Sequence, residues 1–215
     1  MDSQIPFQTQ PSDSKVLLFL AANPKDTTLL DLNDEFVELT SKLQDTSYQV
    51  KIDNALTING LQEALLKYHP SIIHFKGHGT GFTTGYGSLP SQTDDNKEGI
   101  FLQDESGNKK FVTAAALASL FRVCLEKFKI DVVVLNACHS TLQADGIINA
   151  GVKYLIALST SVPDNTAIEF TEAFYRAFSK GSDVEFAFKM ASSALQLEGI
   201  QSGDNMPKLF INQKN

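Results

Sequence analysis

Residues 131–140, DVVVLNACHS, are the most informative stretch of this chain, because a strongly apolar strand is followed there by a cysteine. A second stretch, SIIHFKGHG at 71–79, has the same arrangement, with an apolar strand followed by a histidine between glycines. Each stretch places one reactive side chain, Cys138 or His78, just after a strand end. Side chains that follow the carboxyl ends of parallel strands can meet at one edge of a sheet. The two stretches therefore predict a cysteine–histidine dyad.

The residues after Cys138 predict a helix that activates the thiol. The segment STLQ at 140–143 has the form of a capping box, in which serine and glutamine side chains satisfy free amides of the first turn. A helix opening at about residue 141 would place its positive end near Cys138 and favour thiolate over thiol. His78 would then act as general base and acid. The backbone amides of Gly79 and Cys138 would receive the oxyanion.

Composition excludes several classes of protein. The chain has 215 residues, of which 42% are hydrophobic and 20% charged, and this suits one compact domain. A net charge of −7 without a Lys/Arg cluster argues against nucleic acid or an anionic membrane as the main partner. Two cysteines without CxxC spacing suit a reducing compartment and give no zinc pattern. The N-terminus also lacks the pattern of a signal peptide. We therefore expect a cytoplasmic protein without metal or cofactor.

The order of apolar and polar segments predicts the architecture. Residues 1–14 have no periodicity and predict a flexible N-terminal tail, which leaves 15–215 as the folded domain. Strands alternate with helices there, which predicts an α/β fold with a mostly parallel sheet and helices on both faces. Residues 99–112 predict a small β-hairpin. The stretch 80–98, rich in Gly, Ser, Thr and Asp, directly follows His78 and has a length that compact domains usually keep for function.

Several reactive residue types have ordinary interpretations. His74 lies on an apolar strand, where a hydrogen-bonded core histidine is the expected role. Cys124 lies among apolar residues of a helix and is expected to pack. His139 is adjacent to Cys138, but neighbours on a tight turn diverge, so we expect it to point away. Cys138 could itself be a small buried hydrophobe, which is the commonest fate of a free cysteine. Its position at a strand end, opposite His78, favours the nucleophile.

Four blocks, in order along the chain, resemble the CHAT family of caspase-like cysteine peptidases. They are LFLAANP at 18–24, HFKGHG at 74–79, VLNACHS at 134–140, and YLIAL at 154–158 followed by Pro163-Asp164. The resemblance covers nearly all of 15–200 and implies a three-layer caspase-like sandwich. It implies that His78 and Cys138 form the catalytic dyad and cleave peptide bonds through a thioester. It also implies a role in bacterial signalling or defence, in which such domains are usually fused to or partnered with repeat or adaptor regions. Regulation is then expected from a separate regulatory or adaptor protein, from residues 1–14, or not at all.

The substrate pocket is inferred from more distant relatives. By similarity to separases and gingipains, the loop after strand 153–158 lines the pocket for the residue before the scissile bond, and Asp164 is expected in that loop. A carboxylate there would favour Arg or Lys. Asp164 could instead help to cap the next helix, although the capping-box pattern of 166–169 would leave it outside. Asp26 and Asp31 are further pocket candidates. The chain lacks the Gln-Ala-Cys signature of caspases, so their preference for aspartate is not carried over.

Two functions remain open from the residues. The first is a cysteine endopeptidase that cleaves a protein substrate, with the 80–98 stretch as the natural site for gating by a partner. The second is a catalytically weak protein-interaction module, in which the fold survives as a scaffold. The intact His78 and Cys138 favour the first.

Overall fold

The computed structural model describes five ranges of the chain, 15–30, 32–80, 98–158, 162–200 and 206–213. The strands in these ranges are β1 (Lys15–Ala21), β2 (Tyr48–Asn54), β3 (Ile72–Lys76), β4 (His78–Thr80), β5 (Gly99–Gln103), β6 (Lys109–Thr113), β7 (Val132–Asn136), β8 (Tyr154–Leu158) and β9 (Pro207–Ile211). The α-helices are α1 (Leu32–Leu43), α2 (Ile58–Tyr68), α3 (Ala114–Leu125), α4 (Ala144–Ala150), α5 (Asp164–Phe178) and α6 (Val184–Leu197). The tail predicted at 1–14 and residues 81–97 of the predicted gating stretch lie outside the described residues.

Six strands form the central sheet, in the order β2-β1-β3-β7-β8-β9. Neighbouring strands are parallel from β2 to β8, and β9 runs antiparallel to β8 at the edge. The inner strands are mostly apolar because both faces of a parallel sheet are covered, and the buried exceptions are His74 and Lys76 in β3 and Asn136 in β7. The predicted α/β sandwich with a mostly parallel sheet is therefore confirmed.

Helices cover both faces of this sheet and make three layers. On one face, the core residues of α2, α3 and α4 pack on one set of strand side chains. On the other face, α1, α5 and α6 pack on the alternate set. Such alternation follows from strand geometry, since successive side chains point to opposite faces. We call these surfaces the α2–α3–α4 face and the α1–α5–α6 face.

A second, smaller sheet stands beside the first, with the order β4-β5-β6 and antiparallel pairing throughout. Strands β5 and β6 form the predicted hairpin. Thr113 caps α3 as expected, since its hydroxyl oxygen accepts from the amide of Ala116 at 3.1 Å. Strand β4, which contains His78, was not predicted. Within the described ranges, no helix has both the length and the apolar composition that a membrane crossing requires.

Candidate active site

The ends of β3 and β7 bring His78 and Cys138 to the same edge of the central sheet. The two strands are adjacent, and their last paired residues are Lys76 and Asn136. The amide of Gly77 donates to the carbonyl of Asn136 at 3.1 Å and extends the pairing by one residue. His78 lies two residues beyond β3, and Cys138 lies two residues beyond β7. The register therefore sets the two residues level with each other.

Gly79 lies directly against the backbone of Cys138. A Cβ atom built on Gly79 would lie 2.2 Å from the carbonyl oxygen of Cys138, so only glycine fits here. His78 and Cys138 are both partly exposed, and neither side chain is sealed in the core. The structure thus brings together the residues of the predicted dyad and the predicted oxyanion hole. Their catalytic roles stay predictions.

A backbone carbonyl orients the imidazole of His78. Its Nε2 atom lies 2.8 Å from the carbonyl oxygen of Thr28. A carbonyl only accepts hydrogen bonds, so Nε2 carries the proton and Nδ1 of the neutral ring is left as an acceptor. This tautomer is the one that a general base needs if the thiol faces Nδ1. The residue type at 28 is immaterial to this contact, which is why sequence analysis did not find it.

The loop that carries Thr28 is tied down at several points. The side chain of Asn23 donates to the carbonyl of Leu30 at 3.1 Å and accepts from its amide at 3.3 Å. Asp26, a pocket candidate, accepts a hydrogen bond from the amide of Lys109 at 2.7 Å and so joins the loop to β6. Asp31, the other candidate in this region, lies outside the described residues.

The turn after Cys138 differs from the prediction. His139 adopts the left-handed conformation, with φ 57° and ψ 19°, which is uncommon for a residue other than glycine. Such strained positions cluster at functional sites. A four-residue 3₁₀ turn follows at Ser140–Gln143, and α4 begins only at Ala144. The helix expected at about residue 141 is therefore displaced along the chain, and the structure does not place an α-helix N-terminus beside Cys138.

The predicted capping box at 140–143 is wrong because tertiary contacts take both side chains. The buried hydroxyl of Ser140 donates to the carbonyl of Leu135 at 2.9 Å and accepts from the amide of Leu158 at 2.8 Å. The side chain of Gln143 donates to the carbonyl of Gly99 at 3.0 Å. Ser140 thus joins the ends of β7 and β8, and Gln143 joins this turn to the small sheet.

Asp164 is the first residue of α5, and its carboxylate forms an ion pair with the ammonium of Lys76. The expectation that the capping box at 166–169 would leave Asp164 outside the helix is wrong, since Pro163 is the N-cap and Thr166 is buried within the helix. The side chain of Asp164 is 36% exposed, whereas that of Lys76 is 1% exposed. Asp164 thus stands at the surface above a buried cation. Its pocket role stays a prediction.

A buried polar cluster lies beneath this edge, on the α1–α5–α6 face, and Glu35 of α1 is its centre. The fully buried carboxylate of Glu35 accepts from His74 Nε2 at 2.8 Å and from Thr171 Oγ1 at 2.9 Å. It accepts from Asn136 Nδ2 at 2.7 and 2.9 Å. It also pairs with Lys76 Nζ at 3.0 Å. We call these five residues the Glu35 cluster.

The contacts in the Glu35 cluster keep its acid and base charged. Burial alone would raise the pKa of Glu35, but the contacts with His74, Lys76 and Asn136 outweigh it and lower the pKa from 4.5 to about 2. Burial alone would lower the pKa of Lys76, but Glu35 and Asp164 raise it above 10.5. His74 also contacts the Tyr175 hydroxyl through Nδ1, at 3.1 Å. The prediction of a hydrogen-bonded core histidine is confirmed.

Cys124 is a packing residue, as expected. It is buried in α3, and burial raises the pKa of its thiol. Among the described residues, no three His, Cys, Asp or Glu side chains converge as a metal site would require.

Sequence analysis missed Glu35, Lys76 and Asn136, although two of them left a signal. Glu35 lies at intervals of four from Leu39 and Leu43, on the helix face that packs on the sheet. Lys76 follows His74 by two residues on an otherwise apolar strand, which places both on one face. A buried position for a carboxylate or an ammonium points to a partner of opposite charge. No pattern in the sequence indicated that Asn136 contacts a buried carboxylate.

The chain is similar to known proteins in sequence and in fold. A family model described as the CHAT domain matches residues 3–203. A protein named Roc-COR-CHAT protease, from an unknown prokaryotic organism, is 22% identical over 199 residues, which cover 88% of this chain and 17% of that protein. A protein named probable protease, from Gillisia limnaea, is 21% identical over 196 residues, which cover 88% of this chain and 32% of that protein. The chain thus spans a third or less of the length of these two relatives.

A solved structure shares the fold. The crystal structure of the Drosophila initiator caspase Dronc aligns with a TM-score of 0.54 and 10% sequence identity, and covers 92% of this chain and 80% of that chain. At this identity the similarity shows the fold alone. The chain has a caspase-like architecture.

Proposed function

The chain belongs to the CHAT domain family, and from that membership we propose that it is a cysteine endopeptidase that cleaves a protein substrate through Cys138 and His78. The names of the two relatives and the caspase-like fold support a protease-type function. The observation that carries the proposal is the register of β3 and β7, which sets His78 level with Cys138 and Gly79 against its backbone.

Each residue has a defined step in the proposed reaction. The sulfur of Cys138 attacks the carbonyl carbon of the scissile bond while Nδ1 of His78 takes the thiol proton. The amides of Gly79 and Cys138 stabilise the tetrahedral oxyanion. The intermediate collapses as His78 protonates the leaving amine, which leaves a thioester on Cys138. Water then attacks the thioester, His78 accepts its proton, and the carboxylic acid product leaves as that proton returns to the sulfur; the acid then ionises in solvent. Thr28 holds the imidazole in the required tautomer.

We extend the proposal to regulation and specificity. In this proposal the activity serves bacterial signalling or defence and depends on a separate regulatory or adaptor protein. In the two relatives the matched region is 17% and 32% of a longer chain. Asp164, with its partly exposed carboxylate, would favour substrates with Arg or Lys before the scissile bond.

The alternative is a catalytically weak protein-interaction module. The ion pair between Lys76 and Asp164 favours it, since a carboxylate that already has a cation partner attracts a substrate cation less strongly. In that case the fold presents a surface to a partner protein, and the dyad is unused.

A peptide panel separates the two functions. Peptides with Arg, Lys or Asp before the scissile bond are incubated with the parent protein, with Cys138→Ala and with Cys124→Ala. The endopeptidase predicts cleavage that Cys138→Ala abolishes and that Cys124→Ala retains, because Cys124 lies buried in α3. Labelling by a thiol-directed peptide inhibitor should map to Cys138. Equal cleavage by the parent and Cys138→Ala, or none under any activating condition, would favour the module.

A further inference from the structure

Glu35 bridges the ends of the two strands that carry His78 and Cys138. Lys76 is the last residue of β3, and Asn136 is the last residue of β7. One oxygen of Glu35 lies 3.0 Å from Lys76 Nζ, and both accept from Asn136 Nδ2 at 2.7 and 2.9 Å. Each of these two strand residues stands two positions before a residue of the proposed dyad. A single carboxylate from α1 therefore clamps both strand ends just below the site.

This clamp lies at the point where the backbone pairing of β3 and β7 ends. The ladder between β3 and β7 ends at Lys76 and Asn136, and one further backbone bond, from Gly77 to Asn136, follows it. Beyond that bond the chain leaves the central sheet, since β4 pairs with β5 in the small sheet. The side-chain contacts of Glu35 therefore stand at the last level at which the two strands are paired.

The same segment of chain also orients the imidazole. Thr28, whose carbonyl holds His78 Nε2, lies seven residues before Glu35. The loop between them is held by Asn23, which binds the amide and the carbonyl of Leu30. A shift of the first turn of α1 would therefore disturb the clamp and the Thr28 contact together.

Stability alone is a poor explanation for the Glu35 cluster. A buried ion pair has a desolvation cost that can exceed its Coulombic gain, and apolar residues of similar volume often hold elements together as well or better. Glu35 and Lys76 are 0% and 1% exposed, and they lie on a face otherwise packed by apolar side chains. Their position under the strand ends offers a functional reason for keeping the charges.

We infer that Glu35 is a positioning residue, which sets the spacing of the β3 and β7 ends through Lys76 and Asn136 and so holds His78 within reach of Cys138. This inference rests on the proposed function for the roles of His78 and Cys138. It assigns Glu35 no contact with substrate.

The test measures the reactivity of Cys138 and needs no substrate. The alkylation rate of Cys138 by iodoacetamide is followed across pH in a Cys124→Ala background. Misplacement of a catalytic group by about 1 Å can cost roughly 100-fold in rate, so we expect Glu35→Gln to slow alkylation near neutral pH by about tenfold or more. His78→Ala should slow it at least as much. Glu35→Gln combined with His78→Ala should be no slower than His78→Ala alone, because Glu35 acts through His78.

Two control variants separate positioning from folding. Thr171→Val removes a donor to Glu35 that comes from α5 and not from either strand end, so it should lower the melting temperature without slowing alkylation. Glu35→Gln combined with Lys76→Met rebalances the buried charge and should recover stability while alkylation stays slow. This double variant also serves if Glu35→Gln alone fails to fold. Slowing by Thr171→Val equal to that by Glu35→Gln, or recovery of alkylation together with stability, would overturn the inference.

The outcomes distinguish the two proposals. If Glu35→Gln slows alkylation but the parent cleaves no peptide under any condition, positioning stands and the endopeptidase fails. If cleavage depends on Cys138 but Glu35→Gln alkylates like the parent, the endopeptidase stands and positioning fails.

Discussion

The two faces of the central sheet are equally buried but chemically opposite where they meet at β3. All five residues of this strand are buried. Ile73 and Phe75 point to the α2–α3–α4 face, where they pack among apolar side chains. His74 and Lys76 point to the α1–α5–α6 face and join the Glu35 cluster. A single strand thus supplies apolar packing on one side and a charged cluster on the other.

The apolar face and the charged cluster are stabilised in different ways. The α2–α3–α4 face is stabilised by removal of apolar surface from water, which needs no specific partner. The Glu35 cluster is stable only because each charge meets a partner. That cluster lies directly below the edge that carries His78 and Cys138. The α2–α3–α4 face therefore supports the fold, and the α1–α5–α6 face also lies below the candidate site.

The largest expected effect comes from removing the buried cation. Lys76→Met keeps the length of the side chain but leaves Glu35 without its ion-pair partner. Breaking a buried pair in this way should lower the free energy of unfolding by about 3 to 5 kcal/mol. Urea unfolding measures the change. A loss below about 1 kcal/mol, the range of exposed pairs, would show that the cluster is solvated and that the contrast between the faces is false.

On the apolar face, Ile73→Ala should cost about 3 kcal/mol, through lost burial and the cavity it leaves. Ile73 is 1% exposed and packs among residues of α2 and α3. The alkylation profile of Cys138 should not change, because the side chain of Ile73 points to the opposite side of the sheet from the Glu35 cluster. Urea unfolding and alkylation of the same preparation give both quantities. A slowed alkylation would mean that packing on either face controls the site.

Acid should act on the two faces differently. The pKa of Glu35 is lowered from 4.5 to about 2, so its contribution to stability is complete above pH 4.5 and is lost as the pH falls through about 2. Between neutral pH and about pH 3, the parent should lose about 2 kcal/mol more than Glu35→Gln does. Ile73→Ala should follow the parent in its pH dependence. If the free energy of unfolding falls equally with pH in the parent and in Glu35→Gln, Glu35 does not contribute to acid unfolding.

The smallest effect on stability is expected at Asp164, the exposed partner of Lys76. Asp164 is 36% exposed, and Lys76 keeps Glu35 as a partner when Asp164 is replaced. Asp164→Asn should therefore cost about 1 kcal/mol or less. Its effect on specificity should be larger, with reduced cleavage of peptides that carry Arg or Lys before the scissile bond. An unchanged preference would exclude Asp164 from the pocket.

Most of the fold was predictable from local patterns. Apolar runs such as 16–22 and 132–135 predicted buried strands, and the alternation of strands with helices predicted the parallel sheet. Thr113 and the hairpin before it were also predicted correctly, because their contacts are local in sequence. The capping box at 140–143 failed for the opposite reason. Ser140 and Gln143 bind residues of β8 and β5, and such distant partners override a local preference.

The candidate site divides in the same way. The strand pattern placed Cys138 and His78 after strand ends, and this placement follows from two short segments alone. The tertiary structure added the contacts of Thr28, Glu35 and Asn136. Thr28 contacts His78 across a separation of 50 residues, and Glu35 contacts Asn136 across a separation of 101 residues. Hydrophobic periodicity indicates which side of a helix or strand is buried, but it does not indicate which polar group from another element contacts that side. Pairing between distant polar groups arises only when α1, β3 and β7 are packed together.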